Sequence, residues 1–234
     1  MKKRVVICLH GLIKDAPHDF VPFKKYVEEL NLDFEVDLLM LYDICDKKTF
    51  KFKNKVKLLH KVIAEYEEKG YEIILVGYSF SCGLCAKMAK KHKISKIILV
   101  SPVFKILTRK GIKYYFGLFF KSFKLRAKAT VNKKKRNRLK KMNSLYLFDL
   151  LASCFYSLSR TNKLYKNIKC PLFIMFGEFD DISEPTLIGK IRKQVHHNVN
   201  VNIKFYKGAN HVFIMSNKVD KIPYYNDMIS FVDE

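Results

Sequence analysis

The sequence predicts an α/β protein with a mostly parallel sheet flanked by helices and one helical insertion. Three observations lead there. Short runs that are apolar throughout, such as Val5–Leu9, Ile73–Val76 and Ile97–Val100, read as strands buried on both faces, the mark of a parallel sheet covered on each side. Stretches with helical spacing separate them, giving the alternation that builds βαβ units. That alternation stops at Ser101-Pro102 and resumes at Cys170.

Val5–Leu9 is the first strand and ends in His10-Gly11, where a loop opens. A helix from Asp19 to Leu30 places Phe20, Phe23, Val27 and Leu30 on one face. Phe34 to Leu41 is the second strand, and Tyr42 to Lys53 a polar loop. Val56 to Lys69 forms an amphipathic helix that Gly70 ends. The strand before Gly77 follows, then a helix reaching His92, then the strand Ile97 to Val100. After the insertion come a strand over Cys170 to Phe176, a helix from Glu184 to Val195, a strand from Val199 to Phe205, and a last helix from Tyr224 to Val232.

At 234 residues, 49% of them apolar, the chain is long enough for one large core. The formal net charge of +23 favours anionic partners. Between Val103 and Lys166 stand eighteen Lys or Arg against one acid, Asp149, so most of the excess lies in the insertion. The six cysteines are scattered, several in apolar runs, which argues for a reducing, cytoplasmic compartment rather than a disulfide framework. Cys82 and Cys85 have redox-motif spacing, yet they fall one turn into a helix and read as packing. Lys2-Lys3-Arg4 followed by five apolar residues imitates a signal peptide, but the run is short and no small-residue cleavage site follows.

Three polar residues fall just past strand ends, where an open α/β sheet builds its site: Ser79, Asp180 and His211. Ser79 stands at the apex of a strand, tight turn and helix. By itself that turn fits either an exposed nucleophile or an ordinary helix cap by Ser79 and Ser81. His196 and His197 precede the last strand and read as surface residues, and no spacing argues for a metal or a cofactor.

The chain resembles the α/β-hydrolase family. The resemblance is carried by His10-Gly11, Gly77-Tyr78-Ser79-Phe80-Ser81, Ser101-Pro102, Gly177-Glu178-Phe179-Asp180 and Gly208-Ala209-Asn210-His211, in that order and each at a predicted strand end. It implies the α/β-hydrolase fold, with a core over 1–102 and 167–234 and a basic, aromatic-rich helical cap over 103–166. It also implies a Ser79, His211 and Asp180 triad, with the backbone N–H groups of Phe80 and Leu12 as oxyanion hole. Two features depart from the family pattern. Ser81 stands where the elbow usually has its last glycine, and Asp181 competes with Asp180 for the acid, the family spacing favouring Asp180.

Within the insertion, Lys113 to Arg126 is rich in aromatics and leaves a narrow lysine stripe on a helical wheel. It fits a cap packed on the core, an acyl-binding wall, or a surface in peripheral contact with an anionic membrane. Asn132 to Lys141 carries seven basic residues in ten. Nucleic acid is the weaker expectation, because the aromatics and the basic run are segregated. The resulting expectation is a serine hydrolase of carboxylic esters with an apolar acyl group, of esterase, lysophospholipase or monoacylglycerol lipase type. The alternatives are an acyl thioesterase and a non-catalytic module that binds anionic membranes or nucleic acid.

Overall fold

The computed structural model describes residues 2–11, 19–42, 46–103, 144–161, 163–180, 182, 188–215 and 220–234. Leu12, Asp181, Lys113–Arg126 and Asn132–Lys141 lie outside them. Six parallel strands form one sheet in the order β2-β1-β3-β4-β5-β6. They are β1 (Arg4–Leu9), β2 (Phe34–Leu39), β3 (Glu72–Tyr78), β4 (Lys96–Val100), β5 (Leu172–Phe179) and β6 (Val201–Asn210). The helices are α1 (Val21–Glu29), α2 (Phe52–Glu68), α3 (Cys82–Met88), α4 (Ser144–Thr161), α5 (Ile188–Gln194) and α6 (Ile222–Asp233).

Alternation along each central strand sends side chains to two separate cores. Val5, Ile7 and Leu9 pack with Leu59, Leu84, Leu150 and Ile191 on the face covered by α2, α3, α4 and α5. Val6 and Cys8 pack with Phe23, Val27, Met228 and Phe231 on the face covered by α1 and α6. This two-sided burial is why the central strands read as unbroken apolar runs. The edge strands β2 and β6 are only partly covered.

Local chemistry sets the helix ends. Gly70 takes φ +76°, and behind it the N–H of Tyr71 reaches the Tyr66 carbonyl while its own N–H reaches that of Glu67. This is a Schellman ending, which a residue without Cβ adopts at little cost. α2 begins at Phe52 rather than Val56, after a 3₁₀ turn over Lys47–Phe50 whose entry is capped by Asp46. β5 and β6 run further than their apolar patterns, to Phe179 and Asn210, because each pairs with the other through a register shift at Gly177/Phe179. In α4, Leu150, Cys154 and Leu158 are buried in the core shared with α2 and α3. Among the described residues, no helix is long and apolar enough to cross a membrane.

Candidate active site

β3 ends in Gly77-Tyr78, and the chain reverses at Ser79, which sits in the left-handed region at φ +56°. A non-glycine residue there costs about 1–3 kcal/mol, and the surrounding packing must impose it. Gly77 allows the turn to close, since a Cβ on it would lie 2.8 Å from both Cys82 Cα and Cys85 Sγ.

Ser81 completes the turn rather than obstructing it. Its Oγ accepts the Tyr78 N–H at 2.9 Å and has the carbonyls of Leu9 (3.0 Å) and Tyr78 (2.9 Å) for its own proton. The hydroxyl thus stitches the elbow to the end of β1.

The three sequence-predicted residues converge. Ser79 Oγ lies 3.0 Å from His211 Nε2, and His211 Nδ1 lies 2.9 and 3.0 Å from the two Asp180 carboxylate oxygens. All three are buried, at 3%, 5% and 6% exposure for Ser79, His211 and Asp180. Nδ1 facing a carboxylate holds the proton on that nitrogen and leaves Nε2 to accept from the serine. Asp180 is fixed in turn by the N–H of Ile182, which donates to Oδ1 at 3.1 Å. β5 and β6 deliver the acid and the imidazole together because their backbones almost touch. A Cβ on Gly177 would meet the Ala209 and Asn210 carbonyl oxygens at 2.6 and 2.7 Å.

His10 borders this site as a brace. Its Nε2 accepts the Leu41 N–H at 2.9 Å, so Nδ1 carries the proton and donates it to the Gly11 carbonyl at 2.7 Å. Both ring nitrogens are therefore engaged by backbone. His196 and His197 are exposed, as expected. Cys82 and Cys85 are fully buried and burial pushes both thiols up, Cys82 further contacting the Gly77 carbonyl, so neither is poised as a thiolate.

Two contributors escape the sequence pattern. Asp19 accepts the Gly11 N–H at 2.7 Å, fixing the residue that precedes Leu12 in the chain. Tyr78 donates its phenol to the His211 carbonyl at 3.1 Å, and its ring occupies the space that a Cβ on Gly11 would need, 2.6 Å away. The first closes over eight residues and the second over 133, and neither follows from a periodic pattern.

A family model described as "Serine aminopeptidase, S33" matches residues 52–217. No curated protein matches the sequence. Among solved structures, the chain is similar to one reported for two metagenome-derived lipolytic enzymes, at 11% identity and a TM-score of 0.70, covering 99% of this chain and 94% of that one. It is similar to a monoacylglycerol lipase from Paleococcus ferrophilus at 17% identity and a TM-score of 0.61, covering 97% and 93%. It is also similar to a soluble variant of monoglyceride lipase from Saccharomyces cerevisiae at 18% identity and a TM-score of 0.62, covering 99% and 87%. These likenesses carry the fold, and the family match spans more than half the chain. The chain belongs to the serine aminopeptidase S33 family of α/β hydrolases, and it is a serine α/β-hydrolase enzyme.

Proposed function

We propose that the enzyme cleaves carboxylic esters bearing an apolar acyl group through an acyl-serine intermediate, with Ser79 as nucleophile, His211 as general base and acid, and Asp180 as the group that orients His211. The supporting geometry is the continuous chain from Ser79 Oγ through both nitrogens of His211 to Asp180. A serine hydroxyl is a weak nucleophile near neutral pH, so His211 Nε2 takes its proton as Oγ attacks the carbonyl carbon. The tetrahedral oxyanion is met by the N–H groups of Phe80 and Leu12, and His211 returns the proton to the departing alcohol. Water then repeats the sequence on the acyl-serine and frees the acid. Losing one oxyanion donor typically costs about 3–4 kcal/mol of barrier.

The apolar acyl preference is supported by the aromatic stretch Lys113–Arg126, which we assign to a cap over the core; of the segment 103–166 expected as that cap, the described helix α4 instead packs Leu150, Cys154 and Leu158 into the core. The basic residues of that cap suit peripheral contact with an anionic membrane. Similar folds in lipolytic enzymes and monoacylglycerol lipases point the same way.

The test is labelling by a fluorophosphonate followed by a chain-length series of p-nitrophenyl esters. Labelling and turnover are expected in the wild type and absent in Ser79→Ala. Equal labelling of Ser79→Ala would overturn the assignment of the nucleophile. Preference for a CoA thioester over the matched oxygen ester, or for an aminoacyl p-nitroanilide over any ester, would overturn the substrate class.

A further inference from the structure

On the flank where α2, α3 and α4 meet lies a groove of about 820 Å³ whose lining includes none of Ser79, Asp180 and His211. Among the described residues its cations are Lys51 and Lys53 from the start of α2, Lys87 from α3 and Arg160 from α4, and no described carboxylate lines it. Among the described residues none of these four forms an ion pair, whereas Lys24, Lys47, Lys61 and Lys204 elsewhere on the surface all meet acids.

Two of the four are held in place by rings. Lys87 Nζ stands 5.8 Å from the centre of the Phe52 ring and the Arg160 guanidinium 5.4 Å from that of Tyr156. The two rings meet edge to face at 6.0 Å. Cations fixed over aromatic faces lose less freedom when they engage a ligand than cations waving in solvent.

The groove's walls add positive potential. α2 starts there with no side-chain cap and no acid in its first turn, so nothing in its own first turn offsets the positive end of its dipole. Behind Ser153, which lines the groove, lies the fully buried Lys55, its Nζ 3.3 Å from Ser153 Oγ. The other neighbours of that ammonium are the Cys154 thiol at 3.9 Å and the rings of Tyr42 and Phe80 at 5.2 and 5.3 Å. Among the described residues, no carboxylate pairs with it. A buried cation without a counter-charge is costly unless something else supplies one.

We propose that this groove binds a small molecule carrying two or more linked phosphates, seated on Lys51, Lys53, Lys87 and Arg160. Four separated cations exceed what one phosphate neutralises, since a phosphate monoester carries a charge of only about −1.5 to −2. Arg160 supplies the planar fork that takes two phosphate oxygens at once. The volume falls in the range of about 300–1,000 Å³ usual for small-molecule sites. A concave groove between helices also suits a discrete ligand better than a flat bilayer. The assignment is independent of the reaction proposed at Ser79.

Calorimetric titration of the full chain with inorganic triphosphate tests it. Saturable binding of one triphosphate per chain is expected, tighter than orthophosphate and weakening as salt rises. Lys87→Glu and Lys53→Glu are each expected to weaken it about tenfold or more. Lys25→Glu, an equal change of net charge on the opposite face of the sheet, should shift it by no more than about twofold. Ser79→Ala should bind like the wild type, and Lys87→Glu should retain ester hydrolysis and an unchanged circular dichroism spectrum. Equal weakening by Lys25→Glu, binding untouched by the groove variants, or several triphosphates per chain would overturn the proposal. Loss of phosphatidylglycerol-vesicle binding in the groove variants, with triphosphate binding intact, would assign the patch to a membrane and overturn it as well.

Discussion

The phenol of Tyr78 donates a hydrogen bond to the backbone carbonyl of His211 across 3.1 Å, so the residue that precedes Ser79 also holds the backbone of His211. Tyr78→Phe keeps the ring over Gly11 and removes only the donor. A net hydrogen bond of about 1 kcal/mol corresponds to roughly a fivefold rate effect. We expect a fall of about that size in kcat, with KM for a short ester little changed. An unaltered kcat would mean that the bond does not position His211.

Ser81 makes an unusual prediction. Replacing it by the glycine that the elbow usually carries should destabilise the protein, because the buried N–H of Tyr78 and carbonyl of Leu9 lose their partner. The cost expected for such a loss is about 1–3 kcal/mol, with Tm falling by about 2–4 °C per kcal/mol. Thermal unfolding of Ser81→Gly checks this, and a Tm equal to or above that of the wild type would contradict it.

Gly177 and Gly189 should respond in opposite senses to alanine. At Gly177 the new methyl would press on the carbonyl oxygens of Ala209 and Asn210, forcing β5 and β6 apart just before Asp180 and His211 leave them. Gly177→Ala is therefore expected to lower kcat/KM by about tenfold or more, since small misplacements of catalytic groups are costly. Gly189 lies in α5, where an added methyl would meet nothing within 4 Å among the described residues, so Gly189→Ala should raise stability by about 0.5–1 kcal/mol. Activity and melting curves of the pair provide the comparison.

Burial lowers the Lys55 pKa, opposed in part by the Cys154 thiol. The unfolded chain therefore binds more protons than the native one between that lowered value and the ordinary lysine value of about 10.4. Stability contributed through this group must rise with pH across that window, as the cost of a buried charge is relieved. Lys55→Met removes the effect. We expect the variant to be more stable than the wild type by about 1 kcal/mol at pH 7, with the difference shrinking toward pH 10. Parallel melting curves over that range measure it, and a difference independent of pH would refute the explanation.

The central strands are legible in the sequence because a strand buried on both faces has no choice but to be apolar, as Ile73–Val76 and Ile97–Val100 are. Strand ends are not, because backbone pairing rather than side-chain pattern carries β5 out to Phe179, which is 66% exposed. The order of Ser79, Asp180 and His211 is legible because each follows a strand. The preference for Asp180 rests in the sequence on spacing alone, while the fold places its carboxylate against His211 Nδ1. The parts played by Tyr78 and the Ser81 hydroxyl stay hidden, since each depends on a partner that only the folded sheet brings near, and that of Asp19 because a bond across eight residues follows no periodic pattern.

The pairing of β4 with β5, Ile98 opposite Phe173, means that the chain leaves the sheet after Val100 and returns to the very next strand. Of the residues between, α4 belongs to the core, and the stretch from Val103 to Ser144 joins two points of the described fold. The entropy of closing such a loop grows only with the logarithm of its length, about 0.6 kcal/mol for each doubling. Changes of length between Val103 and Ser144 therefore cost little in closure entropy, while the register of β4 with β5 and the burial of α4 stay as they are. A lineage with this architecture can vary that stretch far faster than the frame that brings Ser79, Asp180 and His211 together.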